Sequence, residues 1–94
     1  MPLFAWIGRD GPRSAELRPL HRPAHLARLE PLARAGRVVH AGPLLDAAGQ
    51  PCGSLILFEA EDLAAARALA AADPYASAGV FASFEVLETR RVLP

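Results

Sequence analysis

This chain contains four short apolar segments and two segments of helical periodicity, and their order is compatible with few folds. Apolar runs bounded by Gly and Pro predict strands, whereas apolar residues three and four positions apart predict helices. The predicted strands cover residues 3–7, 37–45, 53–59 and 80–87. The resulting order, β-α-β-β-α-β, is typical of the ferredoxin-like α+β fold, in which a four-stranded antiparallel sheet carries both helices on one face.

Prolines interrupt the first helical segment. Residues 14–21 are predicted to form a short helical or irregular piece, because Pro19 and Pro23 each remove a backbone hydrogen bond. The main helix is predicted to run from Pro23 to about Ala35, since proline is tolerated best at the first helical position. Pro31, inside this helix, predicts a bend.

The second helical segment is rich in alanine and is predicted to begin at Glu61 or Asp62. It must end by Asp73, because Pro74 disfavours the helical conformation in the residue before it. Residues 75–79 are predicted to be a connecting loop or a single turn before the last strand.

Bulky apolar side chains occupy both faces of the predicted sheet. In the first strand, Phe4 and Trp6 share one face, and Leu3 and Ile7 share the other. In the fourth strand, alternation places Val80, Phe84 and Val86 on one face and Phe81 and Leu87 on the other. Two helices can cover only one face, and the second face would be a larger apolar patch than monomers usually expose. We therefore expect a homodimer that packs sheet to sheet.

The composition is that of one small folded domain, residues 1–94, without a preference for polyanions. Hydrophobic residues make up 52% of the chain and the mean hydropathy is +0.20, which excludes disorder. Ten basic and ten acidic residues balance, so neither nucleic acid nor a membrane surface is an expected partner. Cys52 is the only cysteine, which excludes an internal disulfide. No signal-peptide or membrane-spanning pattern is seen, and a cytoplasmic location is expected.

Four segments, in order and spacing, resemble the YciI-like (YCII-related) family over about residues 6–92. They are RPAHL at 22–26, GRVVHAGP at 36–43, GS at 53–54 and DPYASAGV at 73–80. The resemblance implies a dimeric α+β barrel built from ferredoxin-like subunits. Most members of this family have no established reaction, but a related dehydrochlorinase acts on a chlorinated hydroxyhydroquinone. Larger relatives of the fold include muconolactone isomerases and cofactor-free monooxygenases. Pro31 and the short hairpin loop depart from the family pattern, which bears on the local shape of the pocket.

The resemblance also implies a His and an Asp in a pocket as the active site, and these match His25 and Asp73. On the predicted helix boundaries, His25 lies in a first turn, where positive potential disfavours imidazolium and leaves a neutral base. Asp73 lies at a helix C-terminus, where a carboxylate is disfavoured and a functional role would explain it. An Asp that orients a neutral His is a general-base arrangement. The alternatives are Asp-Pro turn chemistry and a surface or internally satisfied His.

Four more residues are candidates for substrate binding. Arg22 could hold a carboxylate or enolate, or it is a solvated or ion-paired side chain. Ser54 is expected to supply a hydroxyl as a hydrogen-bonding group rather than a nucleophile. Tyr75 could line an aromatic pocket or simply pack. His40 is expected to face either the pocket or the dimer interface, and the interface is the preferred interpretation.

Metal and cofactor sites are not expected. His21 and His25 have helical spacing, but Pro23 separates them and no further ligand is near in sequence. Cys52 lies in a predicted turn without a basic helix terminus beside it, so a reactive thiol is not expected. The glycines at 8 and 11 lack the spacing of a phosphate-binding loop.

Two functional hypotheses follow. The first is a small cofactor-free enzyme that uses general acid–base chemistry on a small cyclic or enol-forming molecule, by isomerisation, lactone chemistry or halide elimination. The second is a non-catalytic ligand-binding or accessory module with the same pocket. A third hypothesis, weaker than these two, is a purely structural dimer whose pocket is vestigial.

Overall fold

The computed structural model describes residues 1–94 and contains four strands and three helices. They are β1 (Leu3–Asp10), α1 (Ser14–Arg34), β2 (Val38–Leu45), β3 (Pro51–Glu59), α2 (Leu63–Ala71), α3 (Pro74–Ser77) and β4 (Phe81–Thr89). The strands form one sheet in the order β2-β3-β1-β4, with every neighbouring pair antiparallel. The predicted ferredoxin-like α+β fold is confirmed.

The core lies between the helices and one face of the sheet. Phe4 and Trp6 of β1 pair in register with Phe58 and Ile56 of β3, and all four side chains are buried. The helices add Leu29, Ala66, Ala70 and Tyr75 to this core. The opposite sheet face is covered by no element of this chain, although its side chains are also apolar. They include Leu3, Ala5, Ile7, Leu55, Leu57 and Leu87.

Helix α1 is one continuous helix, and the predicted break between residue 21 and Pro23 is wrong. Its three internal prolines, Pro19, Pro23 and Pro31, are all exposed. The carbonyl groups that lose an N–H partner on this side can bond water instead, while burial of the opposite side holds the helix together. No helix of the structure combines the length and apolar character needed to cross a membrane.

The polypeptide between α2 and β4 follows the prediction, since α2 ends at Ala71, before Asp73, and a single helical turn, α3, precedes β4. Asp62 caps α2 by accepting a hydrogen bond from the Ala65 backbone at 2.8 Å. Asp73 directly follows Ala72, the C-cap of α2, and is in addition the N-cap of the single turn α3, with Pro74 following as the first helical residue. A carboxylate is favoured at such an N-terminus, which offsets the unfavourable position after the end of α2 that the sequence predicted.

A β-bulge corrects the predicted faces of the last strand. The register between β1 and β4 shifts between Arg9, which pairs with Ser83, and Asp10, which pairs with Phe81. Phe81 therefore joins Val86 in the core instead of lying on the opposite face. Its ring occupies the space above Gly8, where a Cβ atom would lie 2.5 Å from the ring carbons.

Candidate active site

Helix α1 presents three polar side chains toward β2 and β3. Arg18, Arg22 and His25 follow one another at spacings of four and three residues, which makes them neighbours on one helix face. His25 is buried, with 7% of its surface exposed, whereas Arg22 is exposed. Because His25 lies in the middle of α1, the potential of a helix N-terminus does not act on it as expected from the sequence.

Asp73 is completely buried, and its carboxylate is the centre of a hydrogen-bonded cluster. Oδ1 accepts a hydrogen bond from the Tyr75 backbone N–H at 2.9 Å and lies 2.7 Å from His25 Nδ1. Oδ2 accepts from Arg28 Nη1 at 3.0 Å, and the same Arg28 nitrogen donates to the Leu69 carbonyl. Since a carboxylate oxygen only accepts, His25 Nδ1 carries a hydrogen in this contact, and Nε2 is the ring nitrogen that makes no contact with Asp73.

The imidazole of His25 is held in place by two aromatic rings. The Tyr75 ring stacks on it with 3.9 Å between centroids and 2° between planes. The indole of Trp6 approaches it edge-on, at a centroid distance of 6.1 Å. His25 Nε2 makes no hydrogen bond within the protein, and the residue lines a cavity. A fixed ring with one nitrogen bonded and the other free is the geometry of an oriented base.

Arg18 lies one turn before Arg22 and is bound on several sides. Its Nε and Nη2 donate to the two carboxylate oxygens of Asp10, at 2.9 and 2.7 Å. The two hydrogens of Nη2 are shared among three acceptors, since the Gly53 carbonyl lies at 2.8 Å and Ser54 Oγ at 3.1 Å from the same nitrogen. The hydrogen bonds to Asp10 raise the pKa of the Arg18 guanidinium above its ordinary value, and burial opposes that rise. Arg18 is therefore a permanently charged group in a fixed position.

A cavity of about 160 Å³ lies between α1 and strands β2 and β3. Its polar lining consists of Arg18, Arg22, His25, Ser54 and Tyr75. The remaining lining is apolar, with Leu26 and Leu29 on the helix side and Ile56 on the sheet side. An apolar cavity of about 150 Å³ holds a benzene molecule, so this space matches one six-membered ring.

The pKa of the Tyr75 phenol is shifted by burial and by the charges around the cavity. Burial raises the pKa of its phenol above the ordinary value, because the phenolate would lose its hydration. The positive charges of Arg18 and Arg22 act in the opposite direction, and the negative charge of Asp73 adds to the rise. The phenol is thus kept protonated and also donates to the Arg18 carbonyl at 3.4 Å.

The structure brings together most of the residues selected from the sequence. His25, Arg22, Ser54 and Tyr75 line the cavity, and Asp73 lies behind His25. His40 does not line it: the residue pairs with Leu57 on the uncovered sheet face and is exposed. Cys52 is exposed. No group of three or more His, Cys, Asp or Glu side chains lies close enough together to hold a metal ion.

Sequence reasoning did not select Arg18, Arg28 or Asp10 as residues of the site. Arg18 and Arg28 lie seven residues before and three residues after His25, on the same helix, so helical spacing was the available signal. The predicted break at Pro23 hid that signal for Arg18. For Asp10, no local signal exists, because its partner is brought close only when β1 and α1 pack.

A family model described as the YCII-related domain matches residues 2–90. Protein YciI of Escherichia coli O6:H1 is 41% identical over 96 residues, covering 96% of this chain and 98% of that protein. Protein YciI of Shigella flexneri matches with the same identity and coverage.

Solved structures are similar as well. One is 5-chloro-2-hydroxyhydroquinone dehydrochlorinase (TftG) from Burkholderia phenoliruptrix AC1100, in complex with 2,5-dihydroxybenzoquinone. It superposes with a TM-score of 0.82 and 32% identity, covering 94% of this chain and 93% of that chain. The structure of an antibiotic biosynthesis monooxygenase covers 99% of this chain and 100% of its own, with a TM-score of 0.54 and 17% identity, which shows a common fold alone.

Proposed function

This chain belongs to the YCII-related domain family, and from that premise we propose that it is a small cofactor-free enzyme in which His25 is the general acid and base and Asp73 orients it. The contact that carries the proposal is the 2.7 Å separation of His25 Nδ1 from Asp73 Oδ1. It fixes the tautomer and leaves Nε2 free at the cavity, where a proton can be taken up. The 32% identical dehydrochlorinase supports a catalytic role for this kind of pocket.

The proposed reaction is proton transfer on an oxygen-bearing ring. Nε2 takes a proton from a phenolic or enolic oxygen, or from a carbon beside a carbonyl, and the bonding electron pair becomes an enolate or phenolate. In an isomerisation or lactone reaction, the imidazolium returns the proton to another atom. In a halide elimination, the electron pair forms a new double bond as the halide leaves the adjacent saturated carbon with the electrons of its bond, and the imidazolium then gives its proton to water, so that hydrogen halide is lost overall. Electrons are conserved in each case, so no oxidant or reductant takes part.

The substrate is proposed to be a single-ring molecule. The cavity volume of about 160 Å³ accommodates one six-membered ring with small substituents. Tyr75 of α3 and Ser54 of β3 line the space proposed for this ring, and the exposed Arg22 lines it on the side of α1.

We also propose that two copies associate through the uncovered sheet face. Leu57 and Ile7 lie at the centre of this face, on the two central strands, and are only half-buried within one subunit. Leu87 at its margin is 52% exposed. His40 belongs to this face and is assigned to the interface rather than to the cavity.

Sedimentation tests the association directly. The protein is expected to be a dimer at micromolar concentration, and Leu57→Glu is expected to shift it to monomer because a charge would be buried at the interface. Ala27→Glu, on the exposed side of α1, is the control that adds the same charge elsewhere. A stable wild-type monomer would contradict the proposed interface.

The test of the catalytic proposal replaces His25 by Gln. The assay follows chloride release from 5-chloro-2-hydroxyhydroquinone, together with hydrogen–deuterium exchange into enolisable ring compounds by NMR. Loss of a general acid–base group is expected to lower the rate by about 10²–10⁴-fold. His21→Gln is the matched control, since His21 is on the same helix and outside the cavity lining.

Two outcomes would count against catalysis by His25. A folded His25→Gln protein with wild-type turnover would exclude the mechanism. Stoichiometric ligand binding by the wild type without turnover or exchange of any compound would favour the non-catalytic binding module instead.

A further inference from the structure

The charged groups around the cavity do not balance. Three guanidinium groups, those of Arg18, Arg22 and Arg28, meet two carboxylates, those of Asp10 and Asp73. Arg22 forms no ion pair, although Arg18 and Arg28 each do. Three guanidinium charges against two carboxylate charges leave one excess positive charge in this cluster, in a protein whose formal net charge is zero. A small cavity with this imbalance favours an anionic occupant.

Arg18 is the cation best prepared to bind that occupant. Asp10 holds Nε and Nη2 in a two-point contact, and Gly53 and Ser54 fix Nη2 from β3. Nη1 donates to no protein group, and the Arg18 side chain lines the cavity. A guanidinium that is already immobilised loses little conformational freedom when it binds an oxygen anion.

Ser54 supplies a second donor at the same place. Its hydroxyl oxygen accepts from Arg18 Nη2, and its own hydrogen is donated to no protein group. Ser54 is 4% exposed and lines the cavity. Because a hydroxyl has one hydrogen and two lone pairs, accepting from a charged guanidinium leaves the O–H free and more strongly polarised toward a negative oxygen.

His25 and Arg18 both lie beside the aromatic ring of Tyr75. Tyr75 stacks on the His25 imidazole at 3.9 Å, and the Arg18 guanidinium carbon lies 5.3 Å from the centroid of the same Tyr75 ring. A molecule in the cavity is therefore exposed to a proton acceptor and to anion-binding donors at the same time.

We propose that Arg18 and the Ser54 hydroxyl bind a negatively charged oxygen of the ligand, so that this protein selects single-ring compounds bearing a phenolate, enolate or carboxylate. The inference rests on the proposed function for the reactive role of His25, but the anion site is defined by contacts that do not involve His25. During proton abstraction, the same donors stabilise the charge that develops on the ring oxygen.

The experiment measures binding without turnover. The probe is 4-nitrophenol, whose phenolate has its own absorption band, and nitrobenzene is the uncharged comparison. The wild type is expected to bind the phenolate at least about 10-fold more tightly than nitrobenzene. At a pH where the free probe is partly protonated, binding is expected to increase its phenolate band.

The variants separate the two donors. Ser54→Ala is expected to weaken phenolate binding about 2- to 10-fold, the effect of one hydrogen bond. Arg18→Gln combined with Asp10→Asn removes both partners of the buried ion pair, avoids an unpaired carboxylate, and is expected to weaken binding about 10- to 100-fold. Arg67→Gln, an exposed arginine of α2, is the control. Nitrobenzene binding should be unchanged in all of them.

Failure of this inference is distinguishable from failure of the catalytic proposal. His25→Gln is expected to keep phenolate binding while losing turnover; retained turnover would refute the role of His25 and leave the anion site standing. Equal binding of phenolate and nitrobenzene by the wild type would overturn the anion site. Wild-type phenolate binding by folded Ser54→Ala and Arg18→Gln/Asp10→Asn proteins would overturn it as well. If the double variant does not fold, Ser54→Ala decides the question.

Discussion

Two aspartates of this protein cap helices, and comparing their replacement by alanine isolates the contacts of the candidate site. Asp62 caps α2 through one hydrogen bond to the Ala65 backbone. Asp73 caps α3 through one hydrogen bond to the Tyr75 backbone, and it also meets His25 and Arg28. Both Asp62→Ala and Asp73→Ala therefore lose a helix cap, but only Asp73→Ala also loses contacts with His25 and Arg28.

The expected magnitudes follow from burial. Loss of an N-cap costs about 1 kcal/mol, which is the whole effect expected for Asp62→Ala. In Asp73→Ala, the buried His25 Nδ1–H also loses its acceptor, which costs roughly 1–3 kcal/mol more. The contact with Arg28 adds little, because a third of the Arg28 side chain is exposed and can bond water. We expect Asp73→Ala to lower the free energy of unfolding by about 2–4 kcal/mol.

Urea unfolding, followed by the fluorescence of the single tryptophan, measures both values. Trp6 is fully buried and contacts His25 edge-on, so its emission reports the folded site. Protein concentration has to be identical in all samples, because association would contribute to stability. Equal destabilisation by the two alanine variants would refute the reasoning, since it would mean that the carboxylate of Asp73 has no role in stability beyond its cap.

Two further predictions concern residues around the core. Tyr75 is the only tyrosine, so absorbance titration of tyrosinate should show a pKa above the ordinary 10.0 in the folded protein and the ordinary value in urea. Because the folded state holds the Tyr75 proton more tightly, the stability that this proton confers is complete below the ordinary pKa and is lost as pH rises through the higher pKa of the folded state. A pKa of Tyr75 at or below 10.0 in the folded protein would contradict the burial argument. Gly8→Ala should lower the free energy of unfolding by about 1–3 kcal/mol, because its Cβ would meet the Phe81 ring. Urea unfolding checks this, with Ala replacing Gly11, which has no contact below 3.4 Å, as the control; equal effects would refute the packing argument.

The prolines of α1 show where local reasoning failed for the fold. Each internal proline costs about 3 kcal/mol when considered alone, which favours a break near Pro23. The helix nevertheless continues from Ser14 to Arg34, because its prolines share the exposed side while Leu29 and His25 are buried on the other. Burial depends on contacts with distant strands, and no window of local sequence contains them.

The candidate site shows the same division. Family resemblance selected His25 and Asp73 together, and the structure places them in direct contact, while their catalytic role stays a prediction. The physical reasons offered from the sequence were different from those found. His25 lies in the middle of α1, where the potential of a helix terminus does not reach it, and Asp73, besides following the end of α2, caps the start of α3.

Periodicity and the positions of Gly and Pro determined the order of strands and helices, because each of these signals is contained in a few neighbouring residues. They also determined that both sheet faces are apolar. Only the tertiary structure decided which polar groups meet: Asp10 with Arg18, Arg18 with Ser54, and Asp73 with both His25 and Arg28. The reason is physical, since the energy of a buried ion pair or hydrogen bond depends on distance and on exclusion of water. Both are set by the packing of α1 against the sheet and α3.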